Sequence, residues 1–495
     1  MKTPLPLLPL ALLLAVPGPA AADTLLEVYR KAVVADPAVR EAEANRLATR
    51  ESRPQALAAL LPQLDASAGT AWNNANGVSN RVFGDTPATF LIDTRDQTDT
   101  WSLQLRQTVF RWDQWVRLDQ SGKQATQAEF DYTFARQDLI LRVADAYFNV
   151  LAAEDSLNAE RAAKEAIGQQ LEQAQKRFEV GLIAITDVQE AQAAFDNAVA
   201  LEIAAKRNLA NQREVLRAII DDYPEVLAKP GSEIPLLPPE PADVNRWVDL
   251  AMQQNANLLS SQVGTEIAKD NVRIAQSAFL PTVELVASRG KTEQTGFARN
   301  FTDPDGPFGP IPPGDPRVRA DTGFLTFQDQ VSLQVAVPVF TGGANTSRVR
   351  QAVYQHRASR ERLERVARET ERSTRDAYLG VITDVSRVQS LRQALESART
   401  ALKASEAGFE VGTRTTVDVL IARRNLLSAE VNYLRSRYDY LLDGLRLKQA
   451  AGSLTDADLE RIDSLLQEKS TLTKPDLSAP PPLPAPRPPP MPPAG

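Results

Sequence analysis

FEVGTRTTVDVLIARR, residues 409–424, has a twin in FEVGLIAITDVQEAQAAF, residues 178–195. Superposing Gly181 on Gly412 also aligns Asp187 with Asp418, and carrying the register backwards aligns Asp145-Ala146-Tyr147 with Asp376-Ala377-Tyr378. Two copies of one unit are fused. In each copy a long stretch of helically spaced apolar residues runs into a glycine turn, and Thr and Asp follow where a second helix begins. That is the pattern of a helical hairpin. An internal repeat sets the architecture before length does, so the 495 residues read as one duplicated body.

Residues 1–22, MKTPLPLLPLALLLAVPGPAAA, combine Lys2, an apolar run and an alanine-rich end, which predicts an export signal with Asp23 as the mature start. The chain has no cysteine, which excludes disulfides and a lipidated cysteine anchor. No later stretch approaches the roughly 18 apolar residues of a spanning helix, so membrane insertion would have to use strands. The net charge of −7, with both signs interspersed, gives no basic footprint, and no nucleic-acid partner is expected. With His356 as the only histidine, neither a Cys/His nucleophile pair nor a multi-histidine metal site can be assembled. No enzyme activity, cofactor or metal is expected. His356 lies in a charged helical stretch and reads as a solvated residue, while Asp303-Pro304-Asp305-Gly306 lacks the later ligands of a calcium loop and reads as a turn.

The first repeat covers 23–220. Two helical segments between Thr24 and Ala59, split at Asp36-Pro37, precede a strand over about 62–74, in which Leu64, Ala66, Ala68 and Trp72 alternate with polar or small residues. A polar loop, 73–98, leads to a strand over about 98–110 carrying Trp101, Leu103, Leu105 and Val109 on one face. A proline-free helical hairpin follows, with its turn near 181–186. A helix from 113 to 180 would be about 100 Å long, whereas a compact globule of this size is only about 60 Å across. The body must be elongated. A proline-rich connector, 221–241, opens the second repeat, 242–452, which brings strands over about 281–293 and 327–340 around a loop at 295–325, then a hairpin turning near 412–416. A helical segment, 453–474, and a proline-rich tail, 475–495, without assigned fold end the chain.

Lipid tolerates only helices or closed sheets, and four strands cannot close a barrel. Several chains must pool them, and three chains with twelve strands are the smallest set that leaves an open lumen. Trp72, Trp101, Phe110, Trp112, Trp115 and Phe340, near the strand ends, sit where interfacial girdles would lie. The fold class is therefore an α+β membrane protein, with duplicated long helical hairpins and four barrel strands per chain. An ordinary soluble sheet packed on helices is the competing reading.

The stretches LLEVYRKAVVADPAVR, LLPQL, ADAYFNVLAAED, RFEVGLIAITDVQEAQ and VGTRTTVDVL occur in that order. Through them the chain resembles the TolC family of outer-membrane efflux and secretion channels from about Leu25 to Leu459. The resemblance implies a homotrimer in outer-membrane lipid, a twelve-stranded β-barrel and a periplasmic α-barrel of coiled hairpins closing to an entrance. The implied localisation is the outer membrane of a Gram-negative bacterium. The implied partners are a periplasmic adaptor protein and an inner-membrane transporter of the RND, ABC or MFS type. The implied role is a passive exit duct for efflux or type I secretion. The alternative is a structural or receptor-like barrel that conducts nothing.

By the same resemblance the turns at Gly181 and Gly412 lie at the entrance, Asp418 belongs to a pore constriction, and Arg414 locks an inner coil to a neighbouring coil at Thr186 and Asp187. The chain departs from the family's pattern where Phe409 replaces a tyrosine of the lock and Ile421 a second constriction aspartate. From the residues alone, Thr186 with Gln189 and Thr415 with Asp418 also fit helix capping. Gly181 and Gly412 fit left-handed caps that end helices.

Overall fold

A computed structural model describes residues 23–83, 85–224, 226–231, 234–302, 319–321 and 323–471. The export signal, the proline-rich tail and the turn at 303–306 lie outside the described residues. The chain divides into two units, one comprising residues 1–44, 130–259 and 365–495, the other 45–129 and 260–364.

The second of these units holds a large antiparallel sheet. Its strands are β1 (Gln63–Phe83), β2 (Thr86–Phe110), β4 (Thr282–Thr302), β5 (Arg319–Asp321) and β6 (Phe324–Ala336). The order is β1-β2-β4-β6, with β5 also on β4, so β1 and β6 are the edges. Directly paired residues face the same side of a sheet. The row Leu64, Leu105, Ala287, Val331 is apolar across all four long strands, and the next row, Asp65, Gln104, Ser288, Gln330, is polar across all four. Such alternation suits a sheet with lipid on one face and water on the other. The apolar face is uncovered, with Leu64, Trp72, Val331, Leu333 and Val335 all exposed.

Three expectations for this sheet need correction, the first being the strand ending near 293 and the loop at 295–325, because β4 runs on to Thr302 and pairs there with β5, while β6 already begins at Phe324. The stretch 73–98 is not a loop, because β1 and β2 stay in register up to Phe83 and Thr86. Strands of 21 and 25 residues exceed the roughly 9–11 needed to cross a bilayer. Beyond that depth the ladder continues in water, where Asn73, Asn74 and Asn76 cost nothing, so polarity did not mark the end of the strand. The last long strand stops at Ala336 rather than reaching Phe340. Pro338 has no N–H to give the ladder.

The same unit contains α3 (Ser52–Ala58), the ends of α2 (Pro37–Arg50) and α7 (Ala256–Ser277), and the starts of α4 (Trp112–Glu179) and α8 (Ala344–Glu410). Three helices thus precede β1, where two were expected. Pro54 lacks the N–H that an unbroken helix would donate to Arg50, and it is accommodated in the first turn of α3 instead. Asp270 on α7 is fully buried and accepts from Lys123 on α4 at 2.5 Å, with Arg273 at 3.2 Å.

The first unit is mostly helical: α1 (Leu25–Ala35), the body of α4, α5 (Ile185–Ile220), α6 (Val244–Gln254), the body of α8, α9 (Thr416–Ala450) and α10 (Asp456–Asp463). Its core gathers Leu25, Val28 and Tyr29 of α1, Tyr147, Phe148 and Leu151 of α4, Leu441 and Leu445 of α9, and Leu459 of α10. Phe148 stacks on Tyr438 and meets Tyr147 edge-on. A small sheet pairs β3 (Val226–Pro230) with β7 (Leu466–Thr471), and Asp23 bridges to Leu227 on the other side of β3. The connector 221–241 therefore carries a strand, and the segment 453–474 is a short helix followed by a strand rather than helical throughout. Both strands are short, and each is stabilised by its distant partner. In the duplicated hairpins α4 and α8, of 68 and 67 residues, are followed by α5 and α9, of 36 and 35.

Candidate functional site at the hairpin tips

Both tips end their first helix in the same way. Gly181 and Gly412 take positive φ, 74° and 77°, where a β-carbon would clash with the backbone. The Gly181 N–H donates to Phe178 O at 2.9 Å and the Leu182 N–H to Arg177 O at 2.9 Å. At the other tip the Gly412 N–H donates to Phe409 O at 3.2 Å and the Thr413 N–H to Gly408 O at 2.8 Å. These paired bonds satisfy carbonyls that the helix end would leave open.

The second helices start differently. Thr415 caps α9 in a reciprocal box: the Asp418 N–H donates to its hydroxyl at 3.2 Å, while the Thr415 N–H donates to Asp418 Oδ2 at 2.9 Å. The Thr415 backbone N–H, then the Thr415 hydroxyl and finally Arg414 favour the charged carboxylate and hold the acid below its usual range. Asp418 is thus a half-exposed, ionised group at the tip. The first tip lacks this device. Ala184 caps α5 with no side-chain hydrogen bond, which places Thr186 and Asp187 inside the first turn. The capping reading of Thr186 with Gln189 is corrected accordingly, since the helix begins two residues too early for Thr186 to be its cap.

Arg414 turns back on its own hairpin. Its Nη1 lies 3.8 Å from Asp418 Oδ1, and both side chains are largely in solvent. Its stem covers Gly408, where an added β-carbon would lie 2.7 Å from Arg414 Cγ. Among the described residues no hydrogen bond or ion pair joins Arg414 to Thr186 or Asp187 of the same chain.

Phe409 has a partner that the sequence reading missed. The Arg177 guanidinium, in the last turn of α4, sits 4.9 Å from the centre of the Phe409 ring, in the last turn of α8. This contact joins the two tips within one chain. A signal existed: in the aligned twins RFEVG and GFEVG, Arg177 stands opposite Gly408, the one difference in an otherwise identical run. Further back, Arg423 of α9 donates to Glu406 of α8 at 2.7 Å, while Leu171, Ala174 and Ala191 close α4 on α5. Val180, Leu182, Val411 and Ile421 remain exposed around the turns.

Residues 28–221 and 247–453 match the family model described as outer membrane efflux protein, one segment for each repeat. Outer membrane protein TolC of Escherichia coli (strain K12) is 35% identical over 464 residues, covering 93% of this chain and 88% of that protein. Alkaline protease secretion protein AprF of Pseudomonas aeruginosa is 30% identical, covering 88% of this chain and 86% of its own. Among solved structures, the Campylobacter jejuni CmeC outer membrane channel superposes with a TM-score of 0.67 at 19% identity, over 90% of this chain and 89% of that one.

Proposed function

This chain belongs to the outer membrane efflux protein family, and from that premise we propose that it works as a trimeric exit duct whose entrance is gated at the hairpin tips. Its place is the outer membrane, with a large periplasmic part, and its fold is that of the α-barrel and β-barrel channels. Its role is to pass molecules outward in efflux and type I secretion, which is transport rather than chemistry.

The observation that carries the trimer is the sheet. Four long strands present one apolar and one polar face, and the edges β1 and β6 are left unpaired. In lipid such edges must be satisfied by other strands, and β6 of one copy against β1 of the next would close a ring. A periplasmic adaptor and an inner-membrane transporter, of the RND, ABC or MFS type, would supply contact and energy. Three Asp418 carboxylates would then constrict the entrance and favour cations. Arg414 would leave its own Asp418 to bridge to Thr186 or Asp187 of an adjacent coil.

The test is twofold. The purified protein should run as a trimer in mild detergent and conduct ions in planar bilayers, and its deletion should sensitise cells to detergents and dyes. A trimer without conductance and without a sensitivity phenotype would select the receptor-like barrel. A stable monomer would overturn the reading.

A further inference from the structure

A second acidic site, which the gate does not use, lies where α8 meets α9. Asp384 on α8 is 5% exposed, and its Oδ2 is buried with no hydrogen-bond partner. The group facing it at hydrogen-bonding range is another carboxyl, that of Asp443 on α9. The approach is shaped by Gly380, one turn earlier on α8, where any β-carbon would come within 3.0 Å of Asp443 Oδ2. A buried acceptor aimed at an acceptor is costly unless one of the two carries a proton.

The surroundings say which one. Asp443 accepts from Arg446 at 2.8 Å, and the same guanidinium lies 3.5 Å from Asp145 on α4, so Asp443 already has a cation beside it. Asp384 has only Arg387, at 3.8 Å and half in solvent, and that cation is shared with Asp439 on α9 at 3.7 Å. Asp439 in turn has Arg435 at 3.9 Å. Three acids therefore face the junction from two helices, and the cations opposing them stand on its wet side.

We propose that Asp384 and Asp443 share one proton, which ties α8 to α9, so that acid tightens the second hairpin and ionisation loosens it. Burial first, and then the Asp443 carboxyl, push Asp384 up to about 6 from its ordinary 3.8. The folded chain thus keeps the proton over a range in which the unfolded chain has lost it. The stabilisation is complete below about 3.8, falls as pH rises towards 6 and is gone above it.

The experiment is hydrogen exchange, read by mass spectrometry on the full chain in detergent, following peptides from 376–390 and 436–447 and correcting for intrinsic exchange. Wild type should lose protection as pH rises from about 4 to 6, by at most about tenfold per pH unit, the limit for one linked proton. Asp384→Asn can donate to Asp443 without a titrating proton, so these peptides should stay protected at every pH. Asp443→Asn removes the second negative charge and should shift the loss of protection to lower pH. If both variants keep the wild-type pH dependence, no proton is shared and the proposal fails. If Asp384→Asn does not fold, an unshifted profile in Asp443→Asn overturns it alone.

Discussion

Replacing Arg177 by Gln should make the resting entrance leak. Two contacts compete for the role of holding the tips. The Arg414–Asp418 pair is 3.8 Å long and exposed to water and salt, so it contributes little to holding the tips. The Arg177 guanidinium, 4.9 Å from the Phe409 ring, is half-buried, and cation–π contacts run from about 0.5–1 kcal/mol at exposed sites to about 2 when desolvated. Taking about 1 kcal/mol per chain, three chains opening together would lose about 3 kcal/mol. That is roughly a hundredfold in the ratio of closed to open channels, since about 1.4 kcal/mol is a factor of ten. Single-channel recording in planar bilayers reads this ratio directly, and uptake of large antibiotics by cells lacking the transporter reads it in vivo. Phe409→Leu keeps the apolar bulk but loses the π face, so it should match Arg177→Gln, and the double variant should be no worse than either alone. Phe409→Tyr keeps the ring and should stay closed. Strictly additive effects in the double variant, or wild-type opening in both single variants, would refute the reasoning.

Asp418→Asn keeps an oxygen for the Thr415 N–H but removes the charge, so cation preference in bilayers should fall while the melting temperature changes little. Gly412→Ala places a β-carbon at a φ of 77° and should cost about 1 kcal/mol, seen as faster protease cleavage near 408–416 with little change elsewhere. Glu202 of α5 is buried with Arg161 at 3.5 Å and accepts from Lys164 at 2.7 Å and Lys206 at 2.8 Å, the two lysines lowering its pKa to about 2. Each pH unit is worth about 1.4 kcal/mol, and the half-exposed cations reduce the total to about 2 kcal/mol. Glu202→Gln should therefore melt a few degrees lower by circular dichroism at neutral pH. Because the folded value is depressed, this difference should persist above about 4.5 and shrink as pH falls towards 2.

What the sequence exposed was local. Gly181 and Gly412 could be read as left-handed caps because the helix end imposes the same backbone geometry wherever it occurs. The apolar spacing of α4 and α8 was legible because it repeats over many turns. The extension of β1 and β2 beyond about 74 was hidden, since a hairpin standing in water needs no apolar face and its ladder is set by register rather than by composition. β3 and β7 were hidden for another reason: Val226–Pro230 is five residues in a proline-rich connector, and its partner lies near the far end of the chain. Arg177 over Phe409, and Asp384 against Asp443, join residues far apart in sequence, and no spacing announces them.

The capping boxes show how far twin sequences can diverge in physical role. Asp418 is committed to Thr415, with its charge held in place by the cap. Asp187, its twin, caps nothing, because α5 starts at Ile185 behind Ala184. Asp187 thus keeps its acceptors for a donor from outside its own turn, while Arg414 is held only by a long, solvent-screened contact. A charge-assisted bond in a partly shielded coil junction contributes about 1.5–3 kcal/mol. Moving Arg414 from Asp418 to a neighbouring Asp187 would then be downhill, and it would leave the capped Asp418 without its own arginine. Under the proposed gating, the duplication would supply both halves of the exchange: one copy keeps its acid for the cap, and the other would leave its acid for the lock.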